Sequence, residues 1–458
     1  MTTISIDKLR TDVEGRVIGP DDPDYDESRA VFYGGIDKRP EVIVRVANDA
    51  DVSTVIALAR ETGLELAVRS GGHSVPGHSV SEGGIVLDLA DLRAIDVDAG
   101  DRTAWVETGL TAVEVANAAA AHGLAIGFGD TGSVGIGGIT LGGGVGYLAR
   151  KFGLTIDDLL AADVVTADGE IHRVDAETEP DLFWSIRGGG GNFGVATRFR
   201  FRLHELPGVV GGMLFLPATT DTIAGFIEAA EDAPEELSTI ANVMPAPPMP
   251  FVPEEQHGKP VIFGLMCYAG DEAGGERALA PFRALAEPIA DMVKPIPYPE
   301  IYPPDEGEYH PIATGHTMFV DTIGRAEAGT ILETLATSTA MMGVAQLRVL
   351  GGAVARVPAD ATAFAHRKNR IMVNVAAVYE RLEERATHEP WVRGFAAALH
   401  QGDDAAYVNF LADEGEDRIR AAYPGGTWER LRRIKARYDP TNLFRLNQNI
   451  PPAQEGAP

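Results

Sequence analysis

Apolar residues between positions 41 and 110 come in short bursts of alternating type. Glu41-Val42-Ile43-Val44-Arg45-Val46 is a β-branched run, after which Val52, Val55, Ile56 and Ala59 recur at i, i+3, i+4 and i+7. This predicts a strand and then a helix, with Asp51 as its N-cap and Gly63 as its stop. Further strands are expected over 64–69, 85–89 and 103–107, and Thr111-Ala112-Val113-Glu114 is a capping box opening an alanine-rich helix that ends at Gly123. Leu159 to Thr166 and the alternating segment 195–203 also read as strands. The mixture is α+β. The segment 127–146 is too rich in glycine to be a regular element and is expected to be shaped by what it binds.

Pro207 marks a change of character. Beyond it the pattern predicts longer helices at 223–233, 275–287 and 326–342, proline-rich loops at 245–253 and 295–311, and strands near 261–268 and 370–379. Alternation in the last strand puts Met372, Asn374 and Ala376 on one face and Val373, Val375 and Tyr379 on the other. The tail 427–458 opens with an amphipathic helix.

A chain of 458 residues exceeds one ordinary core, so two domains are expected. Its 67 acidic against 39 basic residues give a formal charge of −28. Nucleic acid and anionic membrane surfaces repel such a field, whereas a neutral or cationic small-molecule substrate does not. A solubility role explains the charge equally well. The single cysteine, Cys267, excludes an internal disulfide or a cysteine-rich metal site, and it reads as a small core hydrophobe. No metal is expected. The first residues lack the basic and apolar regions of a signal peptide, and no segment reads as a membrane span, so a cytoplasmic location is expected.

The candidate chemistry begins at Arg69-Ser70-Gly71-Gly72-His73-Ser74, a glycine loop directly after a strand, with a histidine at its tip. Such a loop lets the backbone approach a phosphate closely, and the imidazole offers a nucleophilic nitrogen. Two other matches, Gly189 to Gly194 (GxGxxG) and Gly144 to Ala149 (GxGxxA), fail as dinucleotide fingerprints. The first runs into a period-2 strand and the second follows more glycines, whereas the fingerprint needs a strand before and a helix after.

The loop at 69–73, the segment Gly135 to Gly146, Leu154 to Asp158, Asp181 to Val195 and the C-terminal run Tyr438 to Ile450 occur in order. Together they resemble the berberine-bridge-enzyme-like branch of the FAD-linked oxidases related to vanillyl-alcohol oxidase. The resemblance implies a PCMH-type FAD-binding domain over 1–207 and an antiparallel substrate domain backed by helices over 208–404. It implies a segment over 405–458 that returns to the FAD domain. It also implies FAD bonded at its 8α-methyl to His73, with Arg69, Ser70, Gly71, Gly72, Ser74, Thr131, Val134, Gly137, Gly138, Thr140, Gly142, Gly146, Gly191, Val195, Asn447 and Asn449 around the cofactor.

Thr131 stands where many members carry a second, cysteinyl link, so attachment through one histidine is expected. Val134 falls at the family's oxygen-gating position, which favours an oxidase with molecular oxygen as partner, although a packing valine is equally natural there. His78 lies outside the motif and reads as a surface or loop residue. The implied reaction is oxidation of a CH–OH group by hydride transfer to flavin N5, releasing hydrogen peroxide. An amine (CH–NH) oxidase or a dehydrogenase with poor oxygen reactivity is the alternative.

Tyr407-Val408-Asn409-Phe410 matches a family stretch in which tyrosine serves as base. Tyr407 is the candidate base, with half-buried packing the competing reading, and Asn409 and Asn374 are candidate substrate partners. Phe410 replaces a second tyrosine. The pair His366-Arg367 matches family positions whose role is structural.

Overall fold

The computed structural model describes residues 4–303 and 309–454. Of the proline-rich 295–311 segment, residues 304–308 lie outside the described residues, as do the two chain ends.

A four-stranded sheet begins the chain, in the order Arg16–Ile18, Val42–Arg45, Ile85–Asp88, Leu66–Arg69. Its last three strands are parallel. Val42, Ile43 and Val44 are fully buried, because both faces of this sheet are covered, which explains a continuous rather than alternating apolar run. The helix Asp49–Thr62 starts earlier than expected: Asn48, not Asp51, is the N-cap, and it accepts the Asp51 N–H. Asp51 is instead buried and accepts backbone N–H groups of Glu14, Gly15 and Ala47, each at 2.9 Å. Gly63, at φ 71°, ends the helix.

A five-stranded antiparallel sheet follows, with Val195–Arg202 between Thr103–Glu107 and Leu159–Val165. Phe199 and Phe201 fill its core together with Phe193 and Val106. The segment 127–146 is not irregular throughout, since Ile136–Gly142 forms a short helix. Interior glycines cost that helix about 1 kcal/mol each, and burial of Ile136 and Leu141 against the core offsets it.

An eight-stranded sheet dominates the second half, with neighbours Pro260–Tyr268, Leu237–Pro245, Met342–Val349, Ile371–Tyr379 and Ile312–Val320 in that order. Helices Thr220–Asp232, Arg325–Leu335 and Arg385–Leu399 cover one face, burying Val373, Val375 and Tyr379 beside Phe226 and Phe395. The expected helix 326–342 stops at Leu335, and Met342 already begins a strand. Helix Arg385–Leu399, with Pro390 inside it, has no counterpart in the sequence reading. Cys267 is fully buried in its strand, which pushes its thiol up to about 12.

The other face of this sheet meets the glycine segments. Arg367 forks onto Asp157 with two bonds of 2.8 Å, and His366 reaches the Ala422 carbonyl at 3.0 Å. The helix Thr427–Tyr438 packs Trp428, Leu431 and Ile434 into the core beneath the five-stranded sheet. Among the described residues no helix is long and apolar enough to cross a membrane.

Candidate active site

Two glycine segments make one wall of a deep cavity by touching backbone to backbone. A methyl built on Gly71 would lie 2.7 Å from Gly135 Cα, and one built on Gly135 the same distance from Gly71 Cα. Only glycine permits that approach. Ser70 locks it: its hydroxyl donates to the Thr108 carbonyl at 2.6 Å and accepts the Gly137 N–H at 3.2 Å. Gly72, at φ 73°, then turns the chain and presents His73. The imidazole stacks on Phe32 at 4.0 Å, and its Nε2 lies 3.3 Å from Ser133 Oγ.

The C-terminal run closes the opposite wall. Lys435 and Asp439 are fully buried 2.7 Å apart, and Lys435 also donates to the carbonyls of Asn192 and Phe444. Asp439 accepts the Leu443 and Phe444 N–H groups. Asn192 accepts the Ile450 N–H and donates to the Gln448 carbonyl. These bonds set Asn447 against Gly191, whose carbonyl accepts from its amide at 3.3 Å.

Tyr407 and Asn409 form the third side. The Tyr407 oxygen accepts N–H groups from Gly144 (2.9 Å), Val145 (3.4 Å) and the Asn409 amide (2.9 Å). Asn409 also donates to the Ile139 carbonyl, and a methyl on Gly142 would stand 2.6 Å from its amide nitrogen. Burial pushes the Tyr407 phenol above its ordinary value; these donors and the Arg348 charge offset only part of that. A phenol that is neutral at neutral pH can donate a proton but cannot accept one. The resting geometry therefore disfavours the expected base role and suits a residue that holds the turn 142–145.

The cavity, of about 310 Å³, is lined by Ser70, Gly71, Gly72, His73, Ser74, Thr131, Val134, Gly137, Gly138, Gly191, Val195, Tyr407, Asn409 and Asn447, all of them residues that the resemblance assigned to the cofactor or the chemistry. Six other expected residues lie outside its wall. Arg69 is buried in an ion pair with Asp88 at 2.7 Å, and Gly142 and Gly146 pack against Asn409 and the Gly129 carbonyl. Thr140 and Asn449 are set behind the lining, and Asn374 faces inward from the sheet opposite Thr317 and Gln346. His78, expected to be a surface or loop residue, lies in a loop and lines the cavity; burial and the Lys38 charge push it down to about 4.

Tyr33 and Asp130 also line the wall and were missed. Behind Asp130 stands Arg348, which pairs with it. The polar pair Gln346 and Arg348, two apart in an apolar strand, was a legible signal for that face.

The lining fits a flavin cofactor. Open space lies in front of Gly138 and Gly191, where a Cβ would meet nothing within 4 Å. In the cavity wall the side-chain oxygen of Asn447 is buried without a partner among the described residues. Uncompensated polar atoms of this kind mark the place of a bound group.

The comparisons with known proteins agree on the class. The family described as "FAD binding domain" matches residues 40–175, and that described as "Berberine and berberine like" matches 406–451. The chain belongs to the berberine-bridge-like family of FAD-linked oxidoreductases. It is 30% identical to (R)-6-hydroxynicotine oxidase of Paenarthrobacter nicotinovorans, over 96% of this chain and 97% of that protein. It is 27% identical to the xylooligosaccharide oxidase of Thermothelomyces thermophilus, over 98% and 95%. The crystal structure of 6-hydroxy-D-nicotine oxidase from Arthrobacter nicotinovorans superimposes with a TM-score of 0.86 at 27% identity, covering 96% of this chain and 98% of that one.

Proposed function

We propose that this protein is an oxidase that holds FAD covalently through His73 alone and oxidises a CH–OH group, with oxygen as the final acceptor. The observation that carries this is the junction of Gly71 with Gly135, which aims His73 into the same cavity that holds the orphaned oxygen of Asn447. Bound there, FAD supplies the hydride acceptor. The chain contributes the rest: Ser70, Gly71 and Gly72 shape the cradle, Asn447 and Gly191 close it, and Val134 leaves room for oxygen. Oxygen takes the two electrons and leaves as hydrogen peroxide.

An alcohol such as a sugar hemiacetal is the preferred substrate class, supported by the likeness to a xylooligosaccharide oxidase. The amine reading rests on the likeness to (R)-6-hydroxynicotine oxidase, which spans nearly the whole of both chains.

Acid precipitation of the purified protein tests the linkage. Yellow colour should stay in the pellet, and His73→Ala should release it. Colour in the wild-type supernatant rules out the covalent bond, and a protein still colourless after incubation with FAD rules out the whole reading. Peroxide release with xylobiose, glucose or (R)-6-hydroxynicotine then separates the substrate classes.

A further inference from the structure

We propose that Asp130 is the group that takes the substrate's proton, and that Arg348 is its positioning residue. This rests on the oxidase reading above and supplies the base which that reading lacks.

The geometry converges on one carboxylate. Arg348 projects from the inner face of the eight-stranded sheet with its side chain only 5% exposed, and its Nη2 pairs with Asp130 Oδ2. Gln346 holds the guanidinium from the other side, its Oε1 accepting from Nη2 at 2.7 Å and from Nε at 3.1 Å. The Gln346 amide donates to Asn242 Oδ1 at 2.9 Å, and Asn242 donates to the Phe263 carbonyl at 3.2 Å. The guanidinium also lies over the Phe410 ring at 5.2 Å. Three strands thus contribute a connected polar chain to an otherwise apolar sheet interior. Buried polar chains are costly unless their members are held; here each link orients the next, while Arg348 Nη1 is buried without a partner.

Asp130 itself is left able to act. Its side chain is 22% exposed in the cavity wall, and its Oδ1 accepts from the Thr131 hydroxyl at 3.4 Å. It stands in the same wall as Tyr407 and Asn409. The groups facing it are Arg348 and three tyrosines. Tyr147 reaches its backbone carbonyl at 3.4 Å, burial with the Asp130 charge pushes Tyr33 up to about 12, and Tyr302 is pushed up as well. All three are neutral phenols at neutral pH, as is Tyr407. Asp130 is the carboxylate among the groups that line this cavity, where these phenols cannot take up a proton.

The step balances. The substrate O–H bond breaks and its proton passes to an Asp130 oxygen. That electron pair forms the second C–O bond, and the C–H pair leaves as hydride to the flavin. An amine donor would lose its N–H proton in the same way.

The test is stopped-flow anaerobic flavin reduction by xylobiose, glucose and (R)-6-hydroxynicotine across pH, with donor binding followed separately by flavin difference spectra. Asp130→Asn should slow reduction about 100-fold or more. Donor affinity and flavin content should change little, whereas the melting temperature should fall because Arg348 is left buried without its counter-charge. Arg348→Gln should slow reduction about tenfold or more at nearly unchanged donor affinity, because the carboxylate loses its orientation, and Arg348→Lys should restore part of the rate.

Reduction of Asp130→Asn within about threefold of wild type overturns the inference and leaves the oxidase reading standing. So does an Arg348→Gln variant that reduces as fast as wild type, which also decides the matter if Asp130→Asn fails to fold. If no donor reduces the wild-type flavin, the oxidase reading falls first and this inference with it.

Discussion

Replacing Gly71 by alanine tests the central contact of the site. The added methyl would stand 2.7 Å from Gly135 Cα, nearer still to Gly135 N, and 3.2 Å from the Val134 carbonyl carbon. Relaxed non-bonded contacts of this kind lie at about 3.5 Å or beyond, so the two segments must part by roughly 1 Å. All three neighbours are backbone atoms, so no side chain can rotate away to make room. Such overpacking costs about 1–3 kcal/mol. The Ser70–Gly137 bond, already 3.2 Å long, would break with that movement, and His73 would leave its place beside Ser133. Gly71→Ala should therefore melt several degrees lower and retain little acid-precipitable flavin, measured at 450 nm against protein absorbance. Gly138→Ala is the matched control, because its methyl projects into open space. It should melt like wild type without cofactor yet load flavin poorly. A Gly71→Ala protein with full covalent flavin and an unchanged melting temperature would refute the steric reasoning.

Three further outcomes follow from the same contacts. Lys435→Met strips the cation from a fully buried Asp439, which should cost about 3–5 kcal/mol and loosen the tail that carries Asn447, read as a lower melting temperature with loss of flavin. His78, held near 4 against an ordinary 6.5, stays neutral in the fold while the unfolded chain takes up a proton. Stability should therefore fall as pH drops from about 6.5 towards 4, at up to about 1.4 kcal/mol per pH unit, and urea titrations of His78→Gln should show a shallower fall. Tyr407→Phe leaves the Gly144 and Asn409 donors buried without their acceptor, costing about 1–3 kcal/mol. Flavin reduction in that variant should stay within about tenfold of wild type, whereas a loss of about 100-fold or more would restore Tyr407 as the base.

The cofactor side of the cavity was legible because steric rules leave marks in sequence. Gly71, Gly72 and Gly135 stand where no side chain fits, and a run of such positions is readable without coordinates. The helix at Ile136–Gly142 was hidden by the same glycines, since tertiary burial rather than propensity holds it. Asp51 misled because an aspartate before an apolar period looks like a cap, while its real partners, Glu14 and Gly15, arrive from a distant segment. Arg69 misled in a similar way: it belongs to the loop motif, but its charge is spent on Asp88 in the neighbouring strand. His78 was read as a surface or loop residue outside the motif; it is in a loop, but only the fold brings Tyr407 to Phe410 over the same cavity.

The substrate side resists reading for a different reason. Asp130 and Arg348 are 218 residues apart, and neither has a meaning without the other. Once paired, they change what the cavity favours. The cation and the carboxylate largely cancel, Tyr33 and His78 are neutral, and Tyr407 is a phenol. A donor entering this wall meets little net charge despite the −28 carried by the whole chain. An anionic donor would face an Asp130 carboxylate whose compensating charge is already engaged, at a cost in desolvation that nothing in the wall repays. A neutral alcohol, or an amine in its neutral form, meets a proton acceptor on one side and the amide of Asn409 on the other. That electrical neutrality, more than the size of the cavity, is the physical ground for preferring a sugar or other uncharged alcohol as the first donor to test.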